Sequence, residues 1–171
     1  MNFNWHEETP HKGPDPVTVP GTGTFRWDLI PDSKVATLSS AISLILMRTV
    51  VDNAVLATCN TAFKNLPRGV TFADVLGDAD VWISYCANDL GTVLGATLRK
   101  EITLCERAFT RPQAEKVVAA TIIHELAHVA GAPGGLSKTA EATLQQCGFS
   151  DQWDSTVQGA AERAGRGYGR A

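Results

Sequence analysis

Thr121-Ile-Ile-His-Glu-Leu-Ala-His-Val-Ala-Gly131 holds the residues whose types and spacing promise chemistry. His124 and His128 are four residues apart, which on a helix is a rotation of about 400°, so both imidazoles leave from nearly one face. Two imidazoles on one face can bind one metal ion. Glu125 lies about 100° around from His124, beside such a metal rather than on it. Its natural task there is to take a proton from metal-bound water. Zinc is the expected ion, being redox-inert and content with nitrogen and oxygen donors. With the His and Glu content of this chain, chance predicts only ~0.004 matches to H-E-x-x-H. The flanking residues Thr121, Ile122, Ile123, Leu126, Ala127, Val129 and Ala130 are uncharged, as a ligand helix beside a dry site requires.

A catalytic zinc takes three protein donors and leaves a position open. The metzincin pattern demands a histidine where this chain has Gly134, and a later methionine, whereas the methionines here are Met1 and Met47. Glu141 is the best third donor. Gly131 and Pro133-Gly134-Gly135 let the chain reverse, and a short following helix can return a carboxylate to the metal. Asp151, Asp154, Cys147, His6 and His11 are its rivals.

The elements that must position these groups are legible in outline. Prolines and glycines make residues 1–31 an extended arm rather than helix. Asp32 or Ser33 caps a long helix running to about Phe63 or Lys64, with Val35, Leu38, Ile42, Ile45 and Leu46 at helical spacing. Asn65–Gly69 ends it, and Thr71 caps a turn over Phe72–Leu76. Val81–Cys86 reads as a strand, Ala87–Gly95 as turn-rich, and Ala96–Leu98 with Glu101–Cys105 as a hairpin turning at Arg99-Lys100. Arg111-Pro112 opens the metal helix, which Gly131 ends near Ala130. Ser137 caps a third helix bearing Glu141, and a last helix spans about Asp151–Ala164. The expected fold class is therefore α+β, with a single domain over 32–164 and a tail over 165–171.

Composition bounds the alternatives. The chain has 171 residues, a formal charge of −3, 44% apolar and 19% charged residues, which suits one globular domain. That balance opposes a strongly basic nucleic-acid binder, and no apolar run reaches the ~18 residues of a membrane span. Met1–Thr24 has no basic segment followed by an apolar one, so no signal peptide is expected. Cys59, Cys86, Cys105 and Cys147 form no CxxC pair. Sequence does not choose between buried thiols and disulfides, the latter implying an oxidising compartment.

Three segments together resemble the zinc metallopeptidases of the deuterolysin and peptidyl-Lys endopeptidase type, the aspzincins. They are Ile-Ser-Tyr-Cys86, Ile102-Thr-Leu-Cys-Glu-Arg-Ala-Phe109, and His124-Glu125-Leu-Ala-His128. The resemblance covers the stretch from Ile83 to Phe149 and implies a zincin-like fold: a long N-terminal helix, a small sheet, the metal helix and a short ligand helix. It implies His124 and His128 as ligands and Glu125 as the base. The third-ligand segment departs from the family: Ser-Lys-Thr-Ala-Glu141 replaces Gly-Thr-x-Asp, and Leu144 stands where a tyrosine often follows. Glu141 keeps the carboxylate, while Tyr85, Tyr168 or an arginine is left to replace the missing hydroxyl donor. The expected function is a zinc-dependent metallopeptidase acting on a protein or peptide substrate, with no nucleic-acid or membrane partner. The alternatives are a zinc amidase acting on cell-wall peptides, a toxin-like effector hydrolase, and a non-catalytic zinc-stabilised binding domain.

Overall fold

The computed structural model describes residues 17–19, 23–27, 30–49, 51–87, 94–134 and 137–149. Its strands are β1 (Val17–Val19), β2 (Gly23–Trp27), β3 (Trp82–Cys86), β4 (Gly95–Leu98) and β5 (Glu101–Cys105). Its helices are α1 (Asp32–Thr49), α2 (Asn53–Lys64), α3 (Phe72–Gly77), α4 (Glu106–Thr110), α5 (Ala114–Val129) and α6 (Lys138–Gln146). The α+β expectation holds. The strands form one mixed sheet in the order β1-β2-β3-β5-β4. β3 runs parallel to β2 and β5, while β4 closes antiparallel on β5 with Thr97 opposite Ile102.

α5 is the centre of the molecule. It packs against α1, α4, α6, β4 and β5, and every residue from Val118 to Ala127 is buried. A helix apolar on all sides is stable only in such a setting. Fully burying Ile122, Ile123 and Leu126 contributes about 1.5–3 kcal/mol each. α1 supplies the facing stripe of Leu38, Ala41, Ile42, Ile45 and Leu46.

The C-terminal end of α5 is tied down from a distance. Arg68 donates from Nη1 to the Val129 carbonyl at 2.7 Å and from its backbone N–H to the Ala130 carbonyl at 3.1 Å. These are carbonyls the helix itself leaves without partners. Gly131 makes the exit at φ +99°, where a Cβ would lie 3.2 Å from Pro67 Cβ and 3.3 Å from the Arg68 nitrogen. The expected stop at Gly131 is therefore correct, and the loop that ends α2 is what enforces it.

Several boundaries differ from the sequence reading. The long helix expected over 32–64 is two helices bent by 99°. Asp52 breaks the run: its carboxylate accepts from the Ala54 and Val55 backbone N–H groups and caps α2, as an N-cap residue does. The 3.6-residue periodicity continues across the bend and hides it. α5 starts at Ala114, two residues beyond Pro112, because Glu106–Thr110 forms the separate short helix α4. The extended backbone expected before Pro31 includes β1, antiparallel to β2, and β2 itself, whose parallel seat on β3 periodicity did not reveal. Thr71 and Asp74 form the capping box of α3, and Ser137 caps α6 by accepting from Ala140 N–H. The helix expected over 151–164 and the tail lie outside the described residues.

Cys59 on α2 is disulfide-bonded to Cys147 at the end of α6, across 88 positions of sequence. Cys86 and Cys105 stand opposite one another in the β3–β5 register, both buried. Closing so long a loop removes much of the unfolded chain's freedom. The double variant Cys59→Ala/Cys147→Ala is expected to lose roughly 3–5 kcal/mol of unfolding free energy, measured by denaturant titration. A loss below about 1 kcal/mol would show that the bridge leaves the folded state unsupported.

Candidate metal centre

His124 and His128 project from the last turns of α5 toward each other. Their Nε2 atoms are 3.1 Å apart and their ring planes are 70° from parallel. The opposite ring nitrogens face oxygen. His124 Nδ1 lies 2.8 Å from Glu141 Oε1, and His128 Nδ1 lies 3.2 Å from the Ala132 carbonyl. Carboxylate and carbonyl oxygens only accept, so the His128 contact is a hydrogen bond when Nδ1 carries the hydrogen, while the His124 contact is a close approach of ring and carboxylate at ion-pair distance. A neutral ring with its hydrogen on Nδ1 keeps an unshared pair on Nε2. At 3.1 Å the two Nε2 atoms either share one hydrogen, one ring donating to the other, or turn both unshared pairs to a common cation. Two nitrogens bound near-tetrahedrally to one zinc at ~2.0–2.1 Å sit ~3.3 Å apart, so the imidazole pair fits the ion.

α6 brings Glu141 to this pair. Ser137 caps the helix, the Cys59–Cys147 bridge holds its far end, and Arg48 on α1 donates from Nη1 to the Gly148 carbonyl at 2.9 Å. The helix is thus fixed at both ends, with Glu141 in its first turn. Among the described residues, no group of three His, Cys, Asp or Glu side chains is arranged to hold a metal ion. The fold assembles the two imidazoles, and Glu141 meets them on the Nδ1 side of His124. A carboxylate on the second nitrogen of a metal-binding imidazole fixes its tautomer and raises its basicity.

Glu125 meets the sheet. Its Oε2 accepts from the Thr97 hydroxyl on β4 at 2.8 Å. His124 and Glu125 are 4% and 5% exposed, so water has little access to either in this conformation. Among the rival donors, Cys147 is spent in its disulfide and offers no thiolate. His6, His11, Asp151 and Asp154 lie outside the described residues, as does Tyr168.

Tyr85, one of the three candidate replacements for the missing hydroxyl donor, is engaged elsewhere. Its hydroxyl donates to Glu106 at the start of α4, and burial first, then this carboxylate, pushes the phenol well above its ordinary range. Lys34 pairs with the same carboxylate at 2.7 Å, tying the start of α1 to the start of α4. Thr97 is a residue of the site that sequence reasoning missed. The hairpin was expected, but nothing in its sequence pointed to Glu125.

Comparison with family models, curated proteins and solved structures finds no match for this chain. Among the described residues no single helix is long and apolar enough to cross a membrane.

The Lys34 ammonium, and then the Tyr85 hydroxyl, hold the Glu106 carboxyl below the usual carboxylate range. A group lowered on folding stabilises above its unfolded value, near 4.3, and loses that contribution as pH falls through its folded value. Glu106→Gln is therefore expected to be less stable than the parent chain at pH 7, with the gap closing in acid below about pH 4. Urea unfolding at both pH values reads this out. A gap that stays constant would mean that Glu106 contributes no charge-dependent stability.

Proposed function

We propose that this chain is a zinc-dependent hydrolase, and within that class a metallopeptidase. The observation that carries the reading is the 3.1 Å approach of two Nε2 atoms whose partner nitrogens face oxygen acceptors. His124 and His128 would hold the ion through Nε2, and Glu141, which stands at His124 Nδ1 in this conformation, would be the third protein donor after its side chain turns to the Nε2 side. When bound, zinc polarises a substrate carbonyl and makes a water molecule acidic enough to attack it near neutral pH. Glu125 accepts that proton and passes it to the leaving amine. Its Oε2 is engaged by Thr97, which leaves Oε1 for the transfer. β4 ends the sheet order beside Glu125, and an edge strand can take an extended peptide by backbone pairing. The Cys59–Cys147 bridge suits an oxidising compartment.

A zinc-stabilised binding domain without turnover is the second reading. The burial of His124 and Glu125 is the observation on its side. Casein and peptidoglycan fragments, each assayed with zinc and with chelator, separate a peptidase, an amidase and a silent domain.

Elemental analysis of the wild-type chain should give one zinc, and His124→Ala should lose it. Retention of stoichiometric zinc by His124→Ala would remove that residue from the ligand set. Glu125→Gln should keep zinc and fold while turnover falls by about 10²–10⁴ or more. Glu141→Gln tests the third donor, because an amide oxygen can still accept from His124 Nδ1 but brings no anionic charge to the metal. Direct ligation predicts a zinc affinity lower by more than about 100-fold, whereas a fall of about 100-fold or less would reduce Glu141 to an orienting partner.

A further inference from the structure

We propose that Gly95 and Thr97 on β4 form a seat that positions the Glu125 carboxylate, the Thr97 hydroxyl donating to one carboxylate oxygen and leaving the other for proton transfer. The inference rests on the hydrolase reading for its catalytic consequence, and on the geometry of β4 against α5 for the contact itself.

Residues 95 and 97 share a face of the strand, because side chains alternate with period two. Thr121 and Glu125 share a face of α5, one helical turn apart. The two faces meet. A Cβ on Gly95 would stand 2.6 Å from Thr121 Cγ2, 3.2 Å from the Thr103 carbonyl and 3.3 Å from Glu125 Cγ. A side chain there would have to push aside the Thr121 methyl and crowd the Thr103 carbonyl and the Glu125 stem, so the absence of one lets β4 lie close against α5. At that separation the Thr97 hydroxyl reaches both Glu125 Oε2, at 2.8 Å, and the Glu125 backbone carbonyl, at 3.1 Å.

A hydroxyl has one hydrogen to donate. The charged, shorter contact takes it, and the carbonyl marks how closely the hydroxyl is held to the root of the same side chain. Thr97 is itself fixed by its pairing with Ile102 and by the restricted χ1 of a β-branched residue. Glu125 has three rotatable bonds of its own and would otherwise sample several orientations. A proton acceptor misplaced by about 1 Å can cost 10²-fold in rate, so such a seat has a function beyond packing. Thr97 is a positioning residue in this scheme.

Thr97→Val keeps the shape and removes the hydroxyl, while Thr97→Ser restores it. The Glu125 carboxyl carbon is identified in carbon-13 NMR by its loss in Glu125→Gln. It should shift in Thr97→Val and return toward the parent position in Thr97→Ser, with or without zinc. In the zinc-loaded protein, kcat on a cleaved peptide should fall roughly 10- to 100-fold in Thr97→Val with KM within about threefold, and recover in Thr97→Ser. A resonance unmoved by Thr97→Val overturns the seat, as does a shift that Thr97→Ser leaves uncorrected, since packing alone would then explain it. If the wild-type chain cleaves nothing, the hydrolase reading falls, but the resonance still decides the seat in the same way.

Discussion

Two imidazole nitrogens held 3.1 Å apart on one face of α5 are the constraint on which the account depends. Nothing in the backbone geometry of α5 requires this. Four-residue spacing puts the rings on one face, but their rotation is set from outside the helix. Glu141 faces the second nitrogen of His124, and the Ala132 carbonyl accepts from that of His128. Both partners come from the segment after α5, so the turn at Gly131 and the start of α6 are parts of the same device.

The rest of the fold can be understood as fixing that segment and the helix before it. α5 is enclosed by α1, α4, α6 and the β4–β5 edge of the sheet, which removes its freedom to rotate. Arg68 takes up its last carbonyls. α6 is held by a side-chain cap at one end, and at the other by a disulfide and an arginine from α1. The two helices therefore converge on His124 from separately anchored positions, as a site that must hold its donors within tenths of an ångström requires. On the opposite flank β4 reaches Glu125 through Thr97, so the strand and α6 address adjacent residues of one helix.

Much of this was legible in the sequence, for identifiable reasons. The H-E-x-x-H spacing, the uncharged flank, the Gly131 stop and the Ser137 cap are local signals, and local signals survive without a structure. The hairpin over β4 and β5 was also local. What escaped notice depended on partners far along the chain. Asp52 caps α2 inside a run whose apolar period continues unbroken, so the bend was masked. The Cys59–Cys147 pairing joins positions 88 residues apart, and four cysteines leave the choice open. Tyr85 was a plausible donor until the structure put Glu106 and Lys34 beside it. Gly95 and Thr97 gave no signal because their role is defined only by the face of α5 they meet.

The most direct test of the central claim is the protonation pattern of the two rings. Long-range nitrogen-15 NMR of histidine side chains, recorded with and without one equivalent of zinc, reports which ring nitrogen carries hydrogen and which binds metal. The account predicts that His124 and His128 both hold hydrogen on Nδ1 and that both Nε2 resonances move to the metal-bound position together. It is contradicted if either ring binds zinc through Nδ1, or if neither Nε2 responds to the metal.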